Sequence, residues 1–191
     1  MQERQIQRAA YLEICERAYY SEADRTGKIN DSLTLPLGVV AVLLAAMVQF
    51  VDQGRFVKPG GLINEPLLAF FVALLFVGVA FQVVYLAKCA YHAYACAEGH
   101  KFKGMPTVGT WEKQRRVLED YRRSNPGEPQ TVDEMFVEDY VAQLAQACDV
   151  NTAANDQKSY LRHLCLLELA KAIAATAITS VPYVVLRYLF P

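Results

Sequence analysis

The sequence predicts an all-α membrane protein, with a transmembrane helical hairpin, a cytosolic helical region and a third transmembrane helix at the C-terminal end. Two charge-free apolar runs carry the hairpin: Leu33–Val51 over 19 residues and Leu67–Leu86 over 20. At about 1.5 Å per residue each is roughly 28–30 Å long, the hydrocarbon thickness of a bilayer. Composition agrees, because apolar residues reach 53% of the 191 while charged residues still make up 20%, so the two kinds must be segregated along the chain. The formal net charge of −1 gives no global case for nucleic-acid or anionic-surface binding.

The first segment, 1–32, reads as a cytosolic amphipathic helix over residues 3–26, with Ile6, Ala10, Tyr11, Ile14, Cys15, Ala18 and Tyr19 recurring at steps of three and four. Gly27 and the Asn30-Asp31-Ser32 cluster are expected to end it, and Pro36 suits the first turn of the next helix. No short apolar core with a cleavage site precedes that helix, so the first span is expected to act as its own insertion signal. Residues 33–87 form the hairpin, whose polar loop Asp52–Pro66 carries Gly54, Pro59, Gly60, Gly61 and Pro66. Tyr85, Tyr91 and Tyr94 supply aromatic anchoring where the second span should leave the bilayer.

Residues 88–163 form the cytosolic helical region. The second membrane helix is expected to run on to about Gly99, followed by a basic loop through His100, Lys101, Lys103 and Pro106. A charged helix, Trp111–Ser124, should stop at Ser124-Asn125-Pro126-Gly127, and Thr131 with Asp133 and Glu134 marks the next N-terminus. Helical periodicity then runs to the end. Within it, Ala172–Leu186 is apolar over only 15 residues and contains Pro182. It spans a bilayer if the segment begins near Leu164, which makes 164–191 the third transmembrane helix; the alternative is a buried or interfacial helix.

Arg4, Arg8, Arg17, Arg25 and Lys28 precede the first span, whereas the hairpin loop has only Arg55 and Lys58. The positive-inside rule therefore places the N-terminus in the cytoplasm. Five scattered cysteines, Cys15, Cys89, Cys96, Cys148 and Cys165, lack the spacing of a disulfide framework and suit a reducing compartment.

Cys89, His92, Cys96 and His100 share one helix face, but positions eleven apart are about 16 Å apart along a helix. They cannot all hold one ion, and a face packing small residues is the simpler reading, so no metal and no cofactor are expected. Asn151, Asn155, Lys158 and Arg162 form a polar stripe that either lines the vestibule of an oligomer, holds an anionic ligand, or is a solvated face. Arg115, Arg116, Arg122 and Arg123 form a second basic cluster able to meet phosphates, although Glu112, Glu119 and Asp120 lie among them and favour a solvated face. Glu168 and Lys171 either pair with each other or line a wet path. Gln49 and Gln82, alone in apolar spans, are read as interhelical hydrogen-bonding residues. No phosphate loop, nucleophile elbow, zinc-protease motif or dinucleotide fingerprint is present, so no enzyme is expected.

The amphipathic helix, the membrane hairpin and the helical region with its Asn151-x3-Asn155-x2-Lys158 stripe together resemble the SLATT-type membrane effectors of bacterial anti-phage defence. The likeness is one of layout and covers most of the chain. It implies a homo-oligomeric pore or membrane-disrupting effector, opened by a nucleotide-derived second messenger, that depolarises the infected cell; a third span departs from the plain two-span layout. On that reading Arg115, Arg116, Arg122, Arg123, Lys158 and Arg162 are the ligand-binding candidates, and Asn151, Asn155, Glu168 and Lys171 the pore-lining ones. The partners expected are membrane lipid, further copies of the chain, and a nucleotide or oligonucleotide. A non-conducting scaffold that recruits a partner protein is the alternative.

Overall fold

A computed structural model describes the backbone of residues 2–55, 66–98 and 101–189, and the side chains of 9–52, 66–98 and 101–188. Every described element is an α-helix. They are α1 (Gln2–Asp31), α2 (Thr34–Arg55), α3 (Pro66–Glu98), α4 (Val108–Ser124) and α5 (Val132–Leu189). Three helical stretches, within Ala9–Asp52, Pro66–Glu98 and Val132–Tyr188, are long and apolar enough to cross a membrane. The chain is a membrane-embedded helical protein. Most of the expected hairpin loop, and His100, lie outside the described residues.

One expected boundary moves. The first helix does not stop at Gly27 but continues to Asp31, within the Asn30-Asp31-Ser32 cluster also expected to end it. Two residues, Ser32 and Leu33, then separate it from α2. There the Ser32 hydroxyl donates to the Ile29 carbonyl at 2.6 Å and the Leu33 amide to the Asn30 carbonyl at 3.1 Å, satisfying groups at the end of α1. A glycine within a helix costs only about 1 kcal/mol relative to alanine, too little to force a break when the turns on both sides pack. The apolar C-terminal stretch continues the preceding helix, as the unbroken periodicity predicts. It is the end of the 58-residue α5, which passes through the buried Pro182 without a break.

Other signals read from sequence hold. Thr131 and Glu134 form a capping box: the Glu134 amide donates to Thr131 Oγ1 at 3.2 Å, and the Thr131 amide to Glu134 Oε2 at 2.9 Å. The Asn125 amide and the Asn125 side chain both donate to the Tyr121 carbonyl, at 3.0 and 2.9 Å, where α4 ends.

The chain divides into two compact units. One comprises residues 1–28 and 100–157, the other 29–99 and 158–191. The dividing points fall 4 to 12 residues from the composition boundaries at 32/33, 87/88 and 163/164; α3 crosses the second of these and α5 the third unbroken. The polar unit, residues 1–28 and 100–157, has few buried apolar side chains, with Cys15, Leu144 and Ala147 as its core. It is held by aromatic and polar contacts. Trp111 of α4 meets Phe136 and Tyr140 of α5 edge-on, at ring separations of 5.4 and 5.2 Å. Gln114 donates to Asp139 at 2.8 Å.

The apolar unit, residues 29–99 and 158–191, contains the three hydrophobic clusters of the described chain. They centre on Leu43, Leu86 and Leu169, on Phe50, Leu75 and Leu186, and on Ile29, Leu33 and Cys96. Each mixes residues distant in sequence, so α2, α3 and α5 pack on one another through the membrane-depth segment.

Candidate functional site

Seven-residue spacing organises the contact between α3 and α5. On α3, Leu68, Leu75, Gln82, Cys89 and Cys96 are all buried, with Val72, Leu86 and Ala93 filling the alternate steps. On α5 within the apolar unit, Lys158, Cys165, Ala172, Thr179 and Leu186 repeat the same interval and are buried too. A sustained heptad pattern on two helices is the signature of knobs-into-holes packing. The helices run antiparallel: Cys96 Sγ meets the Lys158 carbonyl at 3.3 Å, Cys89 Sγ meets Cys165 Sγ at 3.3 Å, and Gly78 abuts Thr179. A Cβ at position 78 would run into the Thr179 side chain, so this glycine lets the two helices approach closely here.

The seam is not uniformly apolar. Gln82 is 1% exposed, and neither its amide nitrogen nor its carbonyl oxygen has a partner. The interhelical hydrogen bond expected of Gln82 is therefore not made, and Gln49 points outward. His92 Nδ1 on α3, and Arg162 Nε and Glu168 Oε2 on α5, are also buried without partners. Among the described residues, every buried and unpartnered side-chain polar atom lies on these two helices of the apolar unit. Glu168 Oε1 does accept from Lys171 Nζ at 2.6 Å, which makes the expected ion pair. The hydroxyls behave differently. Thr176, Thr179 and Ser180 each donate to a carbonyl of their own helix, at 2.9, 2.7 and 2.6 Å.

Asn151, Asn155 and Lys158 of the polar stripe on α5 are buried, not solvated, and Arg162 is half-buried. Asn151 lies fully buried in the polar unit and brackets the Lys103 backbone: its Oδ1 accepts from the Lys103 amide at 2.6 Å, and its Nδ2 donates to the Lys103 carbonyl at 3.1 Å. Asn155, 1% exposed, donates to the carbonyl and the carboxylate of Glu22, both at 2.8 Å, and accepts from the Thr26 hydroxyl at 2.8 Å. Beside it Arg25 reaches Asp156 at 2.6 Å, and that carboxylate holds the guanidinium further above its ordinary range. Both asparagines are thus occupied by their own chain. Lys158 and Arg162 belong to the apolar unit.

The arginine cluster on α4 is largely engaged. Arg115 pairs with Glu119 and Asp133 at 3.7 and 3.4 Å, and Arg123 with Asp120 at 3.4 Å. Arg122 donates to the carbonyls of Asn125 and Pro126, both at 3.2 Å. Arg116 is exposed. No group of three or more His, Cys, Asp or Glu able to hold a metal forms among the described residues; Cys89 and Cys96 face α5, with His92 between them.

The seven-residue repeat was present in the sequence, and its signal is the interval between Leu144, Asn151, Lys158, Cys165, Ala172, Thr179 and Leu186. A periodicity based on hydrophobicity alone passes over it, because five of those seven positions are polar or small. Comparison with protein-family models, with curated proteins and with solved structures finds no match for this chain.

Proposed function

We propose that the chain is a non-catalytic, oligomeric membrane effector in which the α3–α5 seam forms or gates a path for water and ions. The observation that supports this reading is the set of unpartnered polar atoms at Gln82, His92, Arg162 and Glu168. In hydrocarbon an unsatisfied polar group costs several kcal/mol, so such groups inside a span mark places where water, an ion or another copy completes the bonding. Gln82 stands four residues, about 6 Å, inside the end of the charge-free run that closes at Leu86. The unpartnered atoms therefore lead from the end of the span into its interior.

The finer parts of the proposal rest on the sequence. The excess of Arg and Lys before the first span supports a cytoplasmic N-terminus, and the layout resemblance to SLATT-type effectors supports a bacterial inner membrane. The layout resemblance to SLATT-type effectors supports a role in anti-phage defence and opening by a nucleotide second messenger. Of the arginines proposed to receive that messenger, three would first have to release carboxylates or carbonyls of their own chain.

A scaffold that recruits a partner is the second reading. It is favoured by the apolar side chains the polar unit leaves open, among them Tyr11 and Ile14 at 53% and 63% exposure, with Tyr20, Val108 and Val117. Ion flux from liposomes carrying the protein, with and without a panel of cyclic and linear oligonucleotides, separates the two. Flux that appears with one ligand supports the effector and names its signal. Tight liposomes under all conditions, with the protein inserted and oligomeric, support the scaffold.

A further inference from the structure

The apolar unit has a groove of about 300 Å³ on its outer surface, lined on α3 by Gly78, Phe81 and Tyr85 and on α5 by Lys171, Ala174 and Ile178. We propose that this groove binds one anionic phospholipid, with an acyl chain in the trough and the phosphate at its lysine end.

The chemistry of the groove is graded along its length. Gly78, Phe81, Tyr85 and Lys88 recur at steps of three and four, so they form one stripe of α3. Its apolar end lies within the charge-free run, and Tyr85 stands one residue before the end of that run, the depth at which aromatic side chains meet headgroups. Lys171 Nζ sits 5.9 Å from the centre of the Tyr85 ring at the same end. A polar mouth at headgroup depth opening onto an apolar trough towards the bilayer centre has the polarity of a lipid in that leaflet.

The mouth also has a sign. Glu168 holds Lys171 at 2.6 Å, but its side chain is only 10% exposed against 44% for the lysine, so the ammonium faces outward and the carboxylate lies behind it. An ammonium has three donors, and Glu168 takes one of them. Lys88 is exposed one turn beyond Tyr85 on the α3 stripe. Two outward cations against one inward carboxylate leave a net positive mouth, which favours a lipid with an uncompensated phosphate.

The trough exists because small residues stand between large ones. Gly78 lets α3 and α5 approach, and Ala174 and Ala175 leave space flanked by Phe81 and Ile178. Its volume lies at the lower end for small-molecule pockets, enough for part of one chain and not for a whole lipid. Bulk lipid tails are as apolar as the trough, so the chain contributes placement and the headgroup contributes selectivity.

The test is native mass spectrometry of the full-length protein in detergent, titrated with phosphatidylglycerol or phosphatidylcholine of identical acyl chains. The wild type is expected to retain one phosphatidylglycerol, preferred by at least about fivefold, the effect of one surface cation on an anionic lipid. Lys171→Gln should remove most of that preference and Lys171→Arg should keep it. Ala174→Trp, an exposed position whose new ring would fill the trough, should lose retention of both lipids. Equal retention of the two lipids by the wild type, an undiminished preference in Lys171→Gln, or full retention in Ala174→Trp would each overturn the proposal.

Discussion

The thiols of Cys89 on α3 and Cys165 on α5 lie 3.3 Å apart in a fully buried contact between helices 76 residues apart in sequence. A disulfide bond is ~2.05 Å long, so a small relative movement of two side chains would join them. Treatment of the detergent-solubilised protein with diamide, which takes up the two thiol hydrogens, should therefore cross-link α3 to α5 within one chain. Proteolysis between the helices followed by non-reducing electrophoresis reads the link. Cys89→Ser or Cys165→Ser should abolish it, and a cross-link formed only between chains would mean that this antiparallel pairing is wrong.

Gly78 lies against the Thr179 side chain, with no room for a Cβ between them. Gly78→Ala should lower stability by about 1–3 kcal/mol, the usual cost of forcing extra volume into a packed interface. Removing the obstacle in the double variant Gly78→Ala/Thr179→Ala should recover part of that loss. Thermal unfolding in detergent measures both, and strictly additive losses would show that the two residues do not touch.

Asn155 makes three hydrogen bonds to Glu22 and Thr26. Asn155→Ala leaves those groups without their partner and should cost about 1–3 kcal/mol. Asn155→Asp should cost more, because it replaces a donor facing the Glu22 carboxylate with a like charge. Faster amide hydrogen exchange in the second half of α1 is the expected readout, and unchanged exchange in both variants would remove the asparagine as the tie between α1 and α5.

How much of this was legible in the sequence differs between the two units. The charge-free runs, the Thr131 cap and the stop at Asn125 are local signals, and each appears where expected. The role of Asn151 and Asn155 was not legible. Their partners, the Lys103 backbone and Glu22, are 48 and 133 residues away, and spacing along one helix cannot distinguish a polar stripe that faces water from one that clamps a distant segment. The same limit applies to Gln82. Its isolation in an apolar run is visible in the sequence, whereas its lack of a partner depends on what α5 brings opposite it.

Tyr140 adds a pH dependence to the polar unit. Burial raises its pKa above the ordinary value of 10.0, and the Glu16 carboxylate, to which its hydroxyl donates at 3.4 Å, raises it further. The folded state thus favours the neutral phenol. Its contribution to stability is fully present below about pH 10 and is lost as the pH rises through the higher folded-state value. Chemical denaturation as a function of pH should show an alkaline loss that Tyr140→Phe reduces. A loss of the same size in the variant would assign the effect to other groups.

The central claim is that the polar atoms of the α3–α5 seam serve a conducting path, and Gln82 tests it most directly. Gln82→Leu removes a buried amide that has no partner and replaces it with an apolar side chain of similar size, a change that should leave the fold as stable or more so. Flux through liposomes carrying equal amounts of wild-type and variant protein is the measurement, made under the condition that opens the wild type. The account predicts that Gln82→Leu is inserted and assembled like the wild type but conducts at least about tenfold less, a barrier increase of about 1.4 kcal/mol. A variant that conducts as well as the wild type would contradict it.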